Sequence, residues 1–197
     1  MTDLFDVVAR QRACRAFADT PVTDDDLARL LDAAVHAPSA ENHQPWEFVV
    51  VRDAGTRAAV GALIRRAWDH ARQHAAERLD ARLLADVDAG ASGGFASAPV
   101  HVVVCVDLER GLEQTIGSSI FPAVQNLLLA ATALGLGSAL TTIATAFGDD
   151  LSALLALPPH VHPVAVVPLG HPARPLGRPV RDPFQAHAHR ERYGDPW

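Results

Sequence analysis

No charged side chain occurs between residues 115 and 148, a stretch that contains Leu127, Leu128, Leu129, Leu134 and Leu136. A run of that length either crosses a bilayer or forms the centre of a globular core. Gln125, Asn126, Gly135, Gly137, Thr141 and Thr142 interrupt it with polar and helix-ending residues. The pattern therefore predicts a buried central helix that stops at Gly135 and runs into a strand, and no membrane span. The opening residues, MTDLFDVVARQRACRAF, place no basic stretch ahead of an apolar run, so no signal peptide is expected.

The rest of the chain mixes helical and strand patterns without an internal repeat or a linker. One domain over residues 1–197 is expected for this length. Residues 3–10 read as a short helix. Thr23 followed by Asp24, Asp25 and Asp26 is an N-cap with acidic residues on the positive helix end. Leu27, Leu30, Leu31, Ala34 and Val35 mark one face of that helix, and Pro38 stops it. Phe48 to Val51, Val100 to Val106 and Val161 to Leu169 read as strands, with Pro163 at a strand start or an edge. Residues 54–87 read as one or two amphipathic helices with Leu63, Ile64 and Trp68 turned inward, and residues 89–94 as a loop of small residues. From Pro172 onward proline and arginine dominate. A tail over 172–197 that carries Phe184, Tyr193 and Trp197 should pack on something, and a partner subunit is the expected surface.

Charge narrows the functional classes. The net charge of −6 argues against nucleic acid as a partner, which calls for a basic face. All 17 basic residues are arginine, which excludes a P-loop lysine, a Schiff-base lysine and a lysine base. Any bound anion must then be held by arginine or by backbone N–H groups. Cys14 and Cys105 are too few for a zinc site or a disulfide framework. They read as reduced core thiols of a cytoplasmic protein. The pairs His160/His162 and His187/His189 lack further ligands nearby in sequence, so no metal site is expected.

Three segments offer groups suited to a flat, phosphorylated ligand. In Gln11-Arg12-Ala13-Cys14-Arg15-Ala16-Phe17, two guanidinium groups follow a short helix closely. Ala37-Pro38-Ser39-Ala40-Glu41-Asn42-His43-Gln44-Pro45-Trp46 holds hydroxyl and amide groups in a stiff loop. Arg178-Pro179-Val180-Arg181-Asp182-Pro183 puts arginines on a proline-stiffened tail. Taken singly, these residues read more readily as solvated arginines and turn amides.

Their order resembles the nitroreductase family of FMN-dependent oxidoreductases, over about residues 6–194. That family opens with Arg-Arg-Ser-x-Arg-x-Phe, against residues 11–17 here, then has Pro-Val and a helix, against Pro21-Val22 and residues 24–37. It continues with Ala-Pro-Ser-x-x-Asn-x-Gln-Pro-Trp, against residues 37–46, and Val-Gln-Asn-Leu-Leu-Leu-Ala-Ala before Gly-Leu-Gly, against residues 124–131 and 135–137. It closes with Gly-x-Pro and Arg-x-Pro, against Gly170-His171-Pro172 and Arg181-Asp182-Pro183. The resemblance implies an α+β, nitroreductase-like fold, with a central, mostly antiparallel sheet flanked by helices. It further implies an intertwined homodimer with two FMN sites at its interface.

Matched by position, Arg12 and Arg15 would lie at the FMN phosphate and ribityl chain, joined by Arg181 and by Gln11 at the family's first arginine position. Pro38, Ser39 and Asn42 would come from the other subunit and line the isoalloxazine ring, with Gln44 in the same motif. Thr141 and Thr142 would face the ring near its reactive nitrogen. The implied activity takes electrons from NAD(P)H through flavin to a small electron-poor acceptor, a nitroaromatic or a quinone, by ping-pong. No catalytic side chain is named for it. An FMN-dependent oxidase or dehydrogenase of a biosynthetic intermediate, or a flavin-binding protein without turnover, are the alternatives. Gln11 replaces the family's arginine and Ala13 its serine. A hydrogen bond to a charged group is worth about 1.5–3 kcal/mol, so each change should loosen FMN about ten- to a hundredfold. His43 reads as an exposed loop residue or one that points toward the ring, and residues 65–94 as part of the channel wall.

Overall fold

A computed structural model describes residues 3–197. Its helices are α1 (Leu4–Arg10), α2 (Asp24–Val35), α3 (Ala54–Ala76), α4 (Ala81–Ala89), α5 (Ile116–Ala133) and α6 (Gly148–Leu154). Its strands are β1 (Trp46–Val51), β2 (Val100–Asp107), β3 (Gly137–Ser138) and β4 (Val161–Gly170). They form one sheet in the order β1-β2-β4-β3 with every neighbouring pair antiparallel. Mixed helices around an antiparallel sheet are the α+β architecture expected.

The core has two layers because β2 is buried on both faces. Val100, Val102, Val104 and Val106 meet α2 and α5 through Leu27, Leu30, Ile120, Val124 and Leu127. Val103 and Cys105 point the other way, onto Val60, Ile64 and Trp68 of α3 and Leu151 of α6. A strand covered on both sides favours apolar residues along its length, which is why its sequence reads as a near-continuous run broken only by His101 before the closing Asp107. The charge-free stretch resolves the same way. With the turn before it, α5 is long and apolar enough to cross a membrane, yet it buries Ile120, Ala123, Val124, Leu127, Leu128 and Ala131 in this core. Gly135, at φ +75, ends it, and the Leu136 N–H returns to the Ala131 carbonyl at 2.8 Å.

Local chemistry sets the other boundaries. The Thr23 hydroxyl accepts the Asp26 N–H at 3.1 Å, capping α2 as expected. The 54–87 segment is two helices, because Asp80 accepts the Leu83 N–H at 2.9 Å and starts α4 afresh. Residues 90–94 are a wide helical turn closed from the Phe95 N–H to the Gly90 carbonyl at 2.8 Å, not an open loop. Strand β1 starts two residues earlier than the apolar run suggests, at the buried Trp46. Pro163 sits where the β2–β4 register slips, opposite Cys105.

The tail crosses the N-terminal segment before it leaves the body. Ala18 donates to the His171 carbonyl at 2.9 Å and Ala173 to that of Ala16 at 3.0 Å. Arg178 pairs with Asp6 at 3.0 Å. Farther on, a hook closes on itself through the Arg190 N–H and Asp195 carbonyl and an edge-on contact of Phe184 with Trp197. Val180 and Tyr193 are almost wholly exposed there.

Candidate functional site

Residues 12–16 lie along the sheet edge. Ala13 makes a parallel bridge to Ser138, and the Cys14 N–H donates to the Ser138 carbonyl at 2.9 Å. This fixes the backbone that carries Arg12 and Arg15. A hollow of about 340 Å³ opens beside it, lined by Gln11, Arg12, Ala13, Arg15, Leu83, Leu128, Leu140, Pro179 and Arg181. The structure thus brings together four residues that the sequence had placed in two distant segments. A smaller hollow of about 100 Å³ adjoins Arg12 and Arg15 and adds Asp86 and Arg174.

The arginines differ in what they already hold. Arg12 donates to the Gly177 carbonyl at 3.1 Å, and Arg181 to that of Val180 at 2.9 Å. Arg15 is the exception, since its Nε is buried with no hydrogen-bond partner. Burial pulls the Arg15 pKa below its usual value, with Arg12 adding to the fall and Asp86 opposing it. A buried charged donor without an acceptor is costly, on the order of 1–3 kcal/mol or more. A ligand acceptor at Nε would remove that cost. Leu83, Leu128 and Leu140 give the same hollow an apolar wall. Cationic donors and leucines in one hollow suit a ligand with an anionic end and a flat apolar part. Burial pushes the neighbouring Cys14 thiol up, against its backbone hydrogen bond with Ala16 and the pull of Arg15, Arg12 and Arg174.

The Pro38–Gln44 segment lies elsewhere. Ala40 donates to the Ser119 hydroxyl of α5 at 3.1 Å, and Gln44 to the Ser39 hydroxyl at 3.0 Å. Glu41, Asn42 and Gln44 all have left-handed backbone, with φ of 52, 58 and 50°. Such strain is held only where surrounding structure imposes it. Pro38, Asn42, His43 and Gln44 are exposed, and His43 lies 3.4 Å from Glu41. None of these residues lines the arginine hollow of the same chain.

Thr141 is buried, and its N–H and carbonyl both pair with Val166, at 3.0 and 2.8 Å. Its hydroxyl accepts the Ile143 N–H at 3.2 Å. Its backbone is therefore spent on the sheet, and the exposed Thr142 is the freer of the two. Their neighbour Leu140 carries this loop to the hollow's rim. Leu128 falls within the 124–131 motif and Leu83 and Asp86 within the expected 65–94 wall, whereas Leu140 and Arg174 were not singled out. Leu128 and Leu140 belong to the charge-free stretch, but no spacing rule links them to Leu83. The fold also brings Asp107 and Glu109 to His160, yet Asp107 is already held by the Glu109 N–H at 2.9 Å and by Arg110 at 3.3 Å.

Residues 8–171 match the Nitroreductase family. The chain belongs to the nitroreductase family. An NADH dehydrogenase of Thermus thermophilus is 31% identical over 203 residues, covering 83% of this chain and 84% of that protein. An FMN reductase [NAD(P)H] of Bacillus subtilis is 24% identical over 212 residues, covering 98% of this chain and 75% of that protein. Among solved structures, a protein of Desulfovibrio desulfuricans in complex with FMN superimposes with a TM-score of 0.73. It is 25% identical, and the match covers 98% of this chain and 99% of that one. The nitroreductase fold and the arginine-lined hollow therefore occur together in this chain.

Proposed function

We propose that this nitroreductase-family chain is an NAD(P)H-dependent FMN oxidoreductase that works as a cytoplasmic homodimer. The observation that carries the reading is the hollow where Gln11, Arg12, Arg15 and Arg181 converge around a buried Arg15 Nε that lacks an acceptor. The B. subtilis relative's name and the FMN held by the D. desulfuricans protein supply the ligand's identity. Bound FMN would supply two-electron chemistry between a nicotinamide and an electron-poor acceptor of nitroaromatic or quinone type, in ping-pong fashion.

The residues here bind and orient. Arg12 and Arg181 offer guanidinium donors to the phosphate end, with Gln11 contributing an amide where a guanidinium would be stronger. Arg15 offers its unpaired Nε–H to an acceptor on the ribityl chain or ring. Leu83, Leu128 and Leu140 exclude water from one side. Thr142, two residues beyond Leu140, offers an exposed hydroxyl and an N–H. Pro38, Ser39, Asn42 and Gln44 of a second copy would close the ring's other side, since these residues stand apart from the hollow of their own chain. Exposed Leu4, Phe5 and Val8 on α1, Phe121 on α5 and Tyr193 and Trp197 on the tail give that copy an apolar surface to cover.

The test is the visible spectrum of the purified protein before and after excess FMN and desalting. Retained flavin bands that bleach with anaerobic NAD(P)H are expected, followed by turnover of a nitroaromatic or quinone with parallel double-reciprocal plots. A protein that stays colourless after FMN loading overturns the reading. Flavin that binds but never bleaches would mark a flavin carrier without turnover.

A further inference from the structure

The wide turn at residues 90–94 presses on Arg15 from behind. A Cβ on Gly94 would stand 2.1 Å from the Arg15 carbonyl oxygen. One on Gly90 would stand 3.1 Å from the Arg15 Cδ and 2.9 Å from the Phe95 ring. Gly94 therefore demands the absence of a side chain because of the Arg15 backbone, and Gly90 chiefly because of the Phe95 ring, with the Arg15 stem next to it.

The turn is held rigidly on its far side. The His101 Nε2 lies 2.7 Å from the Phe95 carbonyl. A carbonyl can only accept, so Nε2 carries the proton and donates. The imidazole is fully buried, and its Nδ1 has no partner. Arg57 donates to the Ala96 carbonyl at 3.3 Å and to the Ala98 carbonyl at 2.7 Å. On α3, a Cβ at Gly61 would stand 2.5 Å from the Ala96 Cβ, so helix and segment touch directly. The segment from Gly90 to Ala98 is thus clamped between α3, His101 and Arg15.

We infer that the Gly90–Ala98 segment, buckled onto His101 and Arg57, is a positioning device that sets the placement of Arg15 for the cofactor. This rests on the FMN reading given above. Gly90, Gly94 and His101 touch no ligand in this scheme; they act through Arg15. Preorganised donors bind better because no reorganisation is needed when the ligand arrives.

The experiment is a double-mutant cycle on FMN affinity, read by quenching of flavin fluorescence on titration with apoprotein. Gly94→Ala should weaken FMN at least tenfold in the wild-type background. In an Arg15→Ala background the clash with the residue-15 carbonyl persists, but the guanidinium that it would shift is gone, so the same change should alter the Kd by less than threefold. Gly90→Ala, with a milder clash, should show the same dependence on Arg15 at smaller amplitude and serves if Gly94→Ala does not fold. His101→Leu should weaken FMN and His101→Gln, which retains a donor, should recover most of the loss. Equal factors in both backgrounds, or Gly94→Ala and Gly90→Ala binding as wild type does, overturn the inference. Wild-type protein that binds no FMN overturns the flavin reading and this inference with it.

Discussion

Restoring an arginine at position 11 tests the electrostatics of the site most directly. Gln11 is half-buried and lines the hollow with Arg12, Arg15 and Arg181. A guanidinium there adds one charge-assisted hydrogen bond to a phosphate, worth about 1.5–3 kcal/mol. Without ligand it adds a like-charge penalty of about 0.2–1 kcal/mol for a partly solvated group, which a bound dianion relieves. Gln11→Arg should therefore tighten FMN about ten- to a hundredfold while slightly lowering the melting temperature of the apoprotein. The assay is fluorescence titration of the two proteins with FMN and, in parallel, with riboflavin, which lacks the phosphate. The gain should fall as salt rises. Riboflavin should gain less than threefold. Equal gains for both ligands, or an FMN Kd unchanged within threefold, would refute the assignment of Gln11 to the phosphate end.

Three further outcomes are expected. Leu127 is wholly buried between α5 and the sheet, so Leu127→Ala should cost about 2–5 kcal/mol in urea unfolding. Ala156 sits at φ 52 where α6 ends, with the Leu157 N–H returning to the Ser152 carbonyl at 3.0 Å. Ala156→Gly removes about 1–2 kcal/mol of left-handed strain against a smaller gain in unfolded-state freedom, so unfolding should show a net stabilisation of about 0.5–1 kcal/mol. His101 has its pKa lowered, chiefly by burial, with Arg57 acting the same way and the Phe95 carbonyl opposing. The unfolded chain then binds the extra proton first, so His101 favours the fold above the ordinary imidazole range, and this contribution is lost as pH falls through that range toward the folded pKa. His101→Gln should flatten this part of a pH-stability curve measured by denaturant unfolding.

Most of the scaffold was legible because its signals are local. The Thr23 cap, the break at Gly135 and the valine run of β2 each depend on neighbours a few residues away. The division of residues 54–87 was less legible, since its boundary rests on the Asp80 carboxylate and not on a change of hydropathy. The wide turn at 90–94 was read as a loop of small residues. Its Gly94 answers to Arg15, some eighty residues earlier, and no local rule conveys that. The gathering of Gln11, Arg12, Arg15 and Arg181 came from motif order, and Leu128 and Leu83 fall in segments already marked by the resemblance, while Leu140 came only with the fold. Left-handed backbone at Glu41 and Gln44 had no signal, because neither side chain favours it.

The crossing of the tail over residues 16–18 has a kinetic consequence. Cys14 bonds to Ser138, Ala18 to His171, and Ala16 to Ala173, so the ribbon that carries Arg12 and Arg15 is stitched to chain made far later in synthesis. Contacts of such long sequence separation close slowly, after the loop entropy between them has been overcome. On the ribosome, α1 and the arginines must wait until β4 and the residues beyond it have emerged. The ribbon that carries Arg12 and Arg15 is thus among the first chain to be synthesised and among the last to be fastened down.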